Sequence, residues 1–137
     1  MIEATLKEID RGAIALKRLA DNAKLPPVLF IRIRNAWRDM QEQLELIADK
    51  QQASLDEHYN RLGINPETGQ DTLMPKTIED RKAHDTTMRA LLATVVQLPR
   101  VKEMISWKLI EEAKIDPPLT PAEAVALAWL IELPEEQ

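Results

Sequence analysis

The stretch that decides the fold is residues 26–63, PPVLFIRIRNAWRDMQEQLELIADKQQASLDEHYNRLG. Apolar side chains recur here in steps of three and four, the spacing that stacks side chains along one face of a helix. They are Phe30, Ile33, Trp37, Met40, Leu44 and Ile47, after which the stripe slips by one residue and continues through Ala48, Leu55, Tyr59 and Leu62. The opening prolines suit a first helical turn, and Gly63 suits the position after a last one. We therefore predict one helix over residues 28–62, roughly 50 Å long at ~1.5 Å per residue.

Residues 2–23 predict a helix that precedes the long one. Their apolar residues alternate in steps of four and three, which is the heptad pattern of a coiled coil. They are Ile2, Leu6, Ile9, Ala13, Leu16, Ala20 and Ala23. Gly12 predicts a close backbone approach, because glycine is otherwise unfavourable inside a helix. The connection over residues 24–27 is short, so we expect an antiparallel helical hairpin over residues 1–62.

The chain beyond the hairpin predicts a loop followed by shorter helices. Residues 63–76 contain the turn-forming sequence NPETG and are expected to be a loop. Residues 77–137 are expected to form two or three helices, with N-terminal caps at Thr77 and Thr120.

Residues 94–105 allow a different structure. The β-branched residues 94–96 suit an extended segment as well as a helix. The predicted fold class is nevertheless all-α, an elongated single domain over residues 1–137.

The last predicted helix is apolar around its whole circumference from residue 124 to residue 131. Such a helix is normally buried centrally or covered by a partner. The far end of the long helix also lacks cover, because the first helix is shorter. We therefore predict interface residues on both elements, namely Val125, Leu127, Trp129, Leu130, Leu55 and Tyr59. A homo-oligomer is the expected result.

Composition excludes several classes of protein. Among the 137 residues there is no cysteine, which excludes disulfides, thiol catalysis and cysteine-based zinc sites. No stretch reaches the ~20 apolar residues of a membrane span, and no signal peptide is evident. These features predict a soluble cytoplasmic protein that does not engage a membrane.

Charge is distributed unevenly around a net value of −5. Residues 11–38 contain seven basic residues against one aspartate. Six of them form a candidate site for an anionic partner, namely Lys17, Arg18, Lys24, Arg32, Arg34 and Arg38. Phosphate, nucleic acid or an acidic protein surface would suit such a cluster. Alternatively, Asp21, Asp39 and the acidic C-terminal tail supply counter-charges within the fold.

The residues that could carry catalysis do not form a recognised motif. Asp80 and His84 have the i, i+4 spacing of helical metal ligands, but no third ligand accompanies them. Glu42, Glu45 and Asp49 form a carboxylate stripe. All-α nucleotide pyrophosphohydrolases hold magnesium with two such clusters on facing helices, but in this chain no second cluster has the matching spacing. The outer face of an amphipathic helix is the simpler interpretation. We predict no enzymatic activity, no cofactor and no metal site.

Several short motifs mark the layout of the chain. They are Leu25-Pro26, Arg32 and Arg34, Tyr59, the turn NPETG at residues 65–69, and the helix start LTPAE at residues 119–123. In this layout the chain resembles a family of small accessory proteins encoded by tailed bacteriophages. The resemblance implies a viral origin, an accessory or interaction role, and work in the host cytoplasm or in the virion.

Three functional hypotheses follow. The first is a non-enzymatic accessory protein that acts through protein–protein contacts, in virion assembly or by binding and inhibiting a host complex. The second is an anion-binding or nucleic-acid-binding protein that uses the basic cluster, although interleaved aromatic stacking platforms are missing. The third is a magnesium-dependent nucleotide hydrolase that uses the carboxylate stripe.

Overall fold

The computed structural model describes residues 2–22 and 24–132. In this part of the chain the elements are β1 (Ile2–Thr5), α1 (Leu6–Ala20), α2 (Pro27–His58), β2 (Tyr59–Ile64), β3 (Asp71–Pro75), α3 (Ile78–Leu92), β4 (Val95–Leu98), β5 (Ile105–Ser106), α4 (Trp107–Glu112), α5 (Pro121–Ala126) and β6 (Ile131–Glu132). The strands form three two-stranded sheets among the described residues. The prediction of an all-α chain is therefore wrong, and the fold is mixed α/β.

Backbone contacts divide the chain into two compact units. Unit 1 comprises Met1–Leu44 and Thr94–Gln137, and unit 2 comprises Glu45–Ala93. Helix α2 runs through both, with residues 27–44 in unit 1 and residues 45–58 in unit 2.

The start of the chain is a strand rather than a helix. Helix α1 begins at Leu6 because Thr5 and Glu8 form a capping box, in which each side chain accepts the backbone N–H of the other. The preceding residues form β1, which pairs antiparallel with β4. Helix α1 packs against α5. The predicted coiled-coil seam is therefore wrong, and its last member, Ala23, lies outside the described residues.

The long helix is present as α2, but it ends at His58 rather than at residue 62. The residues that follow form β2, which pairs antiparallel with β3 in a β-hairpin. The prediction of a loop over residues 63–76 is wrong for this reason. The turn within it is real, since the Gly69 N–H donates to the Asn65 carbonyl at 2.8 Å and Gly69 has a positive φ of 69°.

Residues 94–105 contain the extended structure that their β-branched residues allowed. Strand β4 completes the sheet with β1, and β5 pairs in parallel with β6. Strands β4 and β5 lie at opposite ends of this stretch.

The C-terminal helix begins as predicted and ends early. Thr120 and Glu123 form a capping box, and Pro121 occupies the first helical turn. Helix α5 ends at Ala126, and residues 127–130 form turns before β6. Leu127, Trp129 and Leu130 of these turns are buried, whereas Ala128 is exposed, so the three large side chains contribute to the core of unit 1 without belonging to a helix.

The core of unit 1 draws on every part of its sequence. Its fully buried large side chains are Leu6, Ile9, Leu16, Leu19, Ile33, Met40, Leu98, Ile105, Leu127, Leu130 and Ile131. Ile33 and Met40 come from the apolar stripe of α2 that defined the predicted helix. The stripe is therefore correct for this half of α2.

Unit 2 buries much less. Among its described residues only Ile47, Ser54 and His84 are buried, and two of these three are polar. A two-stranded hairpin is at best marginally stable by itself and needs packing against other elements. Unit 2 therefore has little apolar core of its own to stabilise it.

We predict that Gly12→Val destabilises unit 1. A Cβ at Gly12 would lie 2.9 Å from Leu127 Cδ2 and 3.1 Å from the Ala126 carbonyl oxygen. Overpacking of this kind costs about 1–3 kcal/mol, even though valine favours a helix more than glycine does. Urea unfolding followed by tryptophan fluorescence measures it, because all three tryptophans belong to unit 1.

The control for this substitution is Ile14→Val on the same helix. Ile14 is 86% exposed, so its replacement changes no packing. An unfolding free energy of Gly12→Val equal to or above that of the wild type would contradict the close approach.

Candidate interaction surfaces

Two of the six predicted anion-binding residues are engaged within the fold. Arg18 pairs with Glu123, with Nη2 2.7 Å from Oε1, and donates from Nη1 to the Pro117 carbonyl at 2.7 Å. The Arg18 guanidinium, helped by the Thr120 backbone N–H, lowers the pKa of Glu123. Arg32 pairs with Glu103 at 2.8 Å. These two arginines therefore join segments of unit 1.

Asp39 is neutralised by an arginine that the sequence did not single out. The Asp39 side chain is 1% exposed and accepts from the Arg100 backbone N–H at 2.8 Å and from Arg100 Nη1 at 2.7 Å. Glu42 lies 2.9 Å from the same Nη1. Hydrogen bonds to Asp39 and then to Glu42 raise the pKa of Arg100. Asp39 therefore neutralises Arg100 rather than a member of the predicted basic cluster. This pairing also joins α2 to the segment after β4.

A groove on α2 holds the two arginines that remain, and we call it the basic groove. It has a volume of about 430 Å³ and is lined by Phe30, Ile31, Arg34, Asn35 and Arg38. The Arg34 guanidinium carbon lies 5.4 Å from the centroid of the Phe30 ring, a cation–π contact. Among the described residues, no carboxylate is within ion-pair distance of Arg34 or Arg38.

The remaining members of the predicted cluster lie outside the basic groove. Lys17 and Lys24 are exposed, and neither lines it. Of the predicted counter-charges, the acidic C-terminal tail falls among residues 133–137, outside the described residues. The groove is therefore defined by two of the six predicted cations.

Unit 2 is held by two parallel polar contacts between its helices. Ser54 Oγ lies 2.7 Å from His84 Nδ1, and His58 Nδ1 lies 2.7 Å from Asp80 Oδ1. The two bonded residues on each helix are four apart, so the contacts lie one helical turn from each other along α2 and α3. Tyr59 packs edge-on against His84, with ring centroids 5.3 Å apart. Asp80 and His84, the pair with the spacing of helical metal ligands, therefore bond to side chains of α2.

Exposed apolar side chains are found in the β-hairpin and at the first residue of α3. We call this set the β-hairpin surface, and its members are Leu62, Ile64, Met74 and Ile78, which are between 57% and 70% exposed. Sequence reasoning missed all four as surface residues. The available signal was the density of Ile, Leu and Met beside the turn-forming residues 65–69.

The predicted interface residues separate into three groups. Leu127 and Leu130 are fully buried in unit 1 and offer no surface, while Trp129 is largely buried and its Nε1–H donates to the Ala126 carbonyl at 3.1 Å. Leu55 and Tyr59 are half-buried in unit 2. Val125 is exposed and lines a separate groove with Trp129, beside α1.

The carboxylate stripe on α2 is divided in the structure. Glu42 bonds to Arg100 within unit 1, whereas Glu45 and Asp49 belong to unit 2 and are exposed. In the described ranges, no three histidine, aspartate or glutamate side chains come together in a group able to hold a metal ion. Across the same ranges, no helix has the length and apolar character needed to cross a membrane.

Comparison with known proteins gives no family to which the chain can be assigned. No family model, no curated protein and no solved structure matches it.

We predict that Asp39→Asn destabilises unit 1. The substitution removes the negative charge and directs an amide N–H₂ toward the Arg100 donors, so buried hydrogen-bonding groups lose their partners. The midpoint of urea unfolding, followed by tryptophan fluorescence, should fall.

Glu42→Gln is the matched control for Asp39→Asn. Glu42 contacts the same guanidinium, but its side chain is 57% exposed, and exposed pairs contribute little. We expect its midpoint to shift several-fold less. Equal shifts of the unfolding midpoint in the two variants would show that the burial of Asp39 adds nothing to the stability that its ion pair contributes.

We predict that unit 2 loses stability in acid through Asp80. The hydrogen bond from His58, together with the Thr77 hydroxyl, lowers the pKa of Asp80 below its ordinary value. Asp80 therefore contributes stability above its unfolded-state pKa of about 3.9, and this contribution is lost as pH falls through the lower folded value. Urea unfolding followed by the NMR resonances of residues 78–92 at successive pH values measures the loss.

Asp80→Asn should remove this part of the pH dependence. Asp85→Asn, at an exposed carboxylate on the same helix, should keep it. An Asp80→Asn variant whose stability falls in acid as steeply as that of the wild type would refute the assignment.

Proposed function

We propose that this chain is a non-enzymatic interaction protein that acts through protein–protein contacts and self-associates through the β-hairpin surface. The observation that carries the proposal is the imbalance within unit 2. Five large apolar side chains are exposed among the described residues of unit 2, namely the four of the β-hairpin surface and Leu46, while only Ile47, Ser54 and His84 are buried there. Burial of apolar area stabilises a protein by roughly 25 cal/mol per Å². Covering the β-hairpin surface would supply the burial that unit 2 lacks.

A second copy of the chain is the partner that we propose for this surface. A twofold interface brings the same residues of each copy together, so the exposed apolar side chains on either face of the β-hairpin, with Ile64 on one face and Met74 on the other by the strand register, can meet their own equivalents. The edges of the β-hairpin are poorly suited to strand addition, because Pro75 has no N–H and the register shifts between Arg61 and Gly63. Side-chain packing across the β-hairpin surface is therefore the proposed mode of contact.

The biological role that we propose is that of an accessory protein of a tailed bacteriophage. It rests on the short motifs shared with that family. The protein would work in the cytoplasm of the host or in the virion, either in assembly or by binding and inhibiting a host complex. An interaction protein that self-associates is compatible with both roles.

We predict a dimer or larger assembly whose formation depends on the β-hairpin surface. Light scattering coupled to size-exclusion chromatography should give at least twice the monomer mass of 15.6 kDa at micromolar concentration. The double variant Ile64→Glu/Met74→Glu should elute with the monomer mass, because two buried carboxylates per copy would oppose association.

Ile14→Glu is the control for the self-association experiment. Ile14 is the most exposed large apolar residue of unit 1 and lies far along the chain from the β-hairpin. Its replacement should leave the mass unchanged. A monomeric wild type, or an unchanged mass in the double variant, would overturn the proposed self-association.

A further inference from the structure

We infer that the basic groove is a docking site for an acidic amphipathic helix of a partner protein. The inference rests on the proposed function in one respect, since it names the kind of protein that an interaction protein of this form would bind. It uses a different surface and different residues from self-association. The groove lies on residues 30–38 of α2, within unit 1.

The two arginines of the groove lack the counter-charge that three other arginines of unit 1 have. Arg18, Arg32 and Arg100 each have a carboxylate within 2.8 Å. Arg34 and Arg38 have none among the described residues, although they lie four residues apart on an exposed helix face, where like charges repel. A bound carboxylate would relieve this repulsion.

The geometry of the two arginines suits a helix as the ligand. Residues four apart on a helix rise by about 6 Å along its axis. Carboxylates four residues apart on a partner helix have the same spacing, so two guanidinium–carboxylate pairs can form side by side. The Phe30 ring holds the Arg34 guanidinium through the cation–π contact, which reduces the side-chain entropy lost on binding.

The apolar part of the groove favours a protein over a nucleic acid. Ile31 is 58% exposed and lines the groove with Phe30, and Val28 is exposed one turn earlier. A phosphate backbone would satisfy the arginines but would leave these aliphatic side chains in water. An amphipathic helix covers them with its own apolar residues while its carboxylates meet the arginines.

A labelled synthetic helix tests the inference directly. The peptide carries glutamates four residues apart on one face and leucines on the adjoining face, and its binding to the full chain is followed by fluorescence anisotropy at low salt. We expect measurable binding that weakens as salt is added. Arg34→Glu/Arg38→Glu should weaken it about tenfold or more, because attraction becomes repulsion. The same peptide with glutamine in place of glutamate should bind the wild-type chain as weakly as the original peptide binds the Arg34→Glu/Arg38→Glu variant.

The matched control is Lys17→Glu/Lys24→Glu, which changes the net charge by the same amount outside the groove. At about 0.15 M salt, where the Debye length is about 8 Å, its affinity for the peptide should stay within about twofold of the wild type, since screened charges outside the contact add little. Ile31→Ser should weaken peptide binding and leave any DNA binding unchanged. Circular dichroism confirms that each variant is folded, and Arg34→Gln/Arg38→Gln repeats the test without charge reversal.

The outcomes are distinguishable from those of the self-association experiment. Peptide binding should persist in the Ile64→Glu/Met74→Glu variant, so a failure of self-association leaves the groove intact. Undiminished binding in Arg34→Glu/Arg38→Glu, or no binding by the wild type, overturns the inference. Tighter binding of duplex or single-stranded DNA than of the peptide, insensitive to Ile31→Ser, also overturns it in favour of a nucleic-acid ligand.

Discussion

The neutralisation of Asp39 is the constraint on which the arrangement of unit 1 depends. A carboxylate that is almost fully buried must have donors around it, since an unpaired buried charge is far more costly than an exposed one. Arg100 supplies both a backbone N–H and a guanidinium from a position 61 residues away. The segment after β4 is thereby fixed against α2. The same choice of partner leaves Arg34 and Arg38, on the neighbouring turns of α2, without an acid.

Unit 2 uses polar contacts where unit 1 uses an apolar core. The Ser54–His84 and His58–Asp80 hydrogen bonds join α2 to α3, and the Lys76 N–H donates to the His58 carbonyl at 2.9 Å. Intramolecular hydrogen bonds contribute only about 1 kcal/mol each, because the same groups bond to water when unfolded. They define which side chains meet, but they do not replace the burial of apolar area. Specific geometry and a shortage of burial therefore coexist in unit 2.

Local signals in the sequence predicted the helix caps, the turn and the long helix, whereas pairings between residues distant in the chain could not be predicted from it. The caps at Thr77 and Thr120 and the turn over residues 65–69 depend on neighbours a few residues away, and all are present. The stripe of α2 is also local, and it failed only where β2 takes over its last members. Strand β1 was missed because its partner is β4, more than ninety residues later, and because its apolar residues happen to continue the heptad pattern of α1.

The candidate surfaces show the same division between local and distant information. The sequence identified six cations, but it could not show that Arg18 is bound by Glu123, 105 residues away, or Arg32 by Glu103. It likewise assigned Leu127 and Leu130 to an interface, because a uniformly apolar segment suits a core and an interface equally well. Only the tertiary contacts decide which charges remain available and which apolar residues are already covered.

The two proposed surfaces differ in what they cost when empty. Exposed guanidinium groups are well solvated, so the basic groove is tolerated without a ligand and its binding is governed by salt and by partner charge. In a monomer the β-hairpin surface would hold four apolar side chains in water, and salt does not screen that penalty. Self-association through the β-hairpin surface would therefore be constitutive, whereas occupation of the basic groove would depend on conditions. On the proposed function, one helix, α2, serves both surfaces, with the groove on its first half and the contacts that hold the β-hairpin on its second.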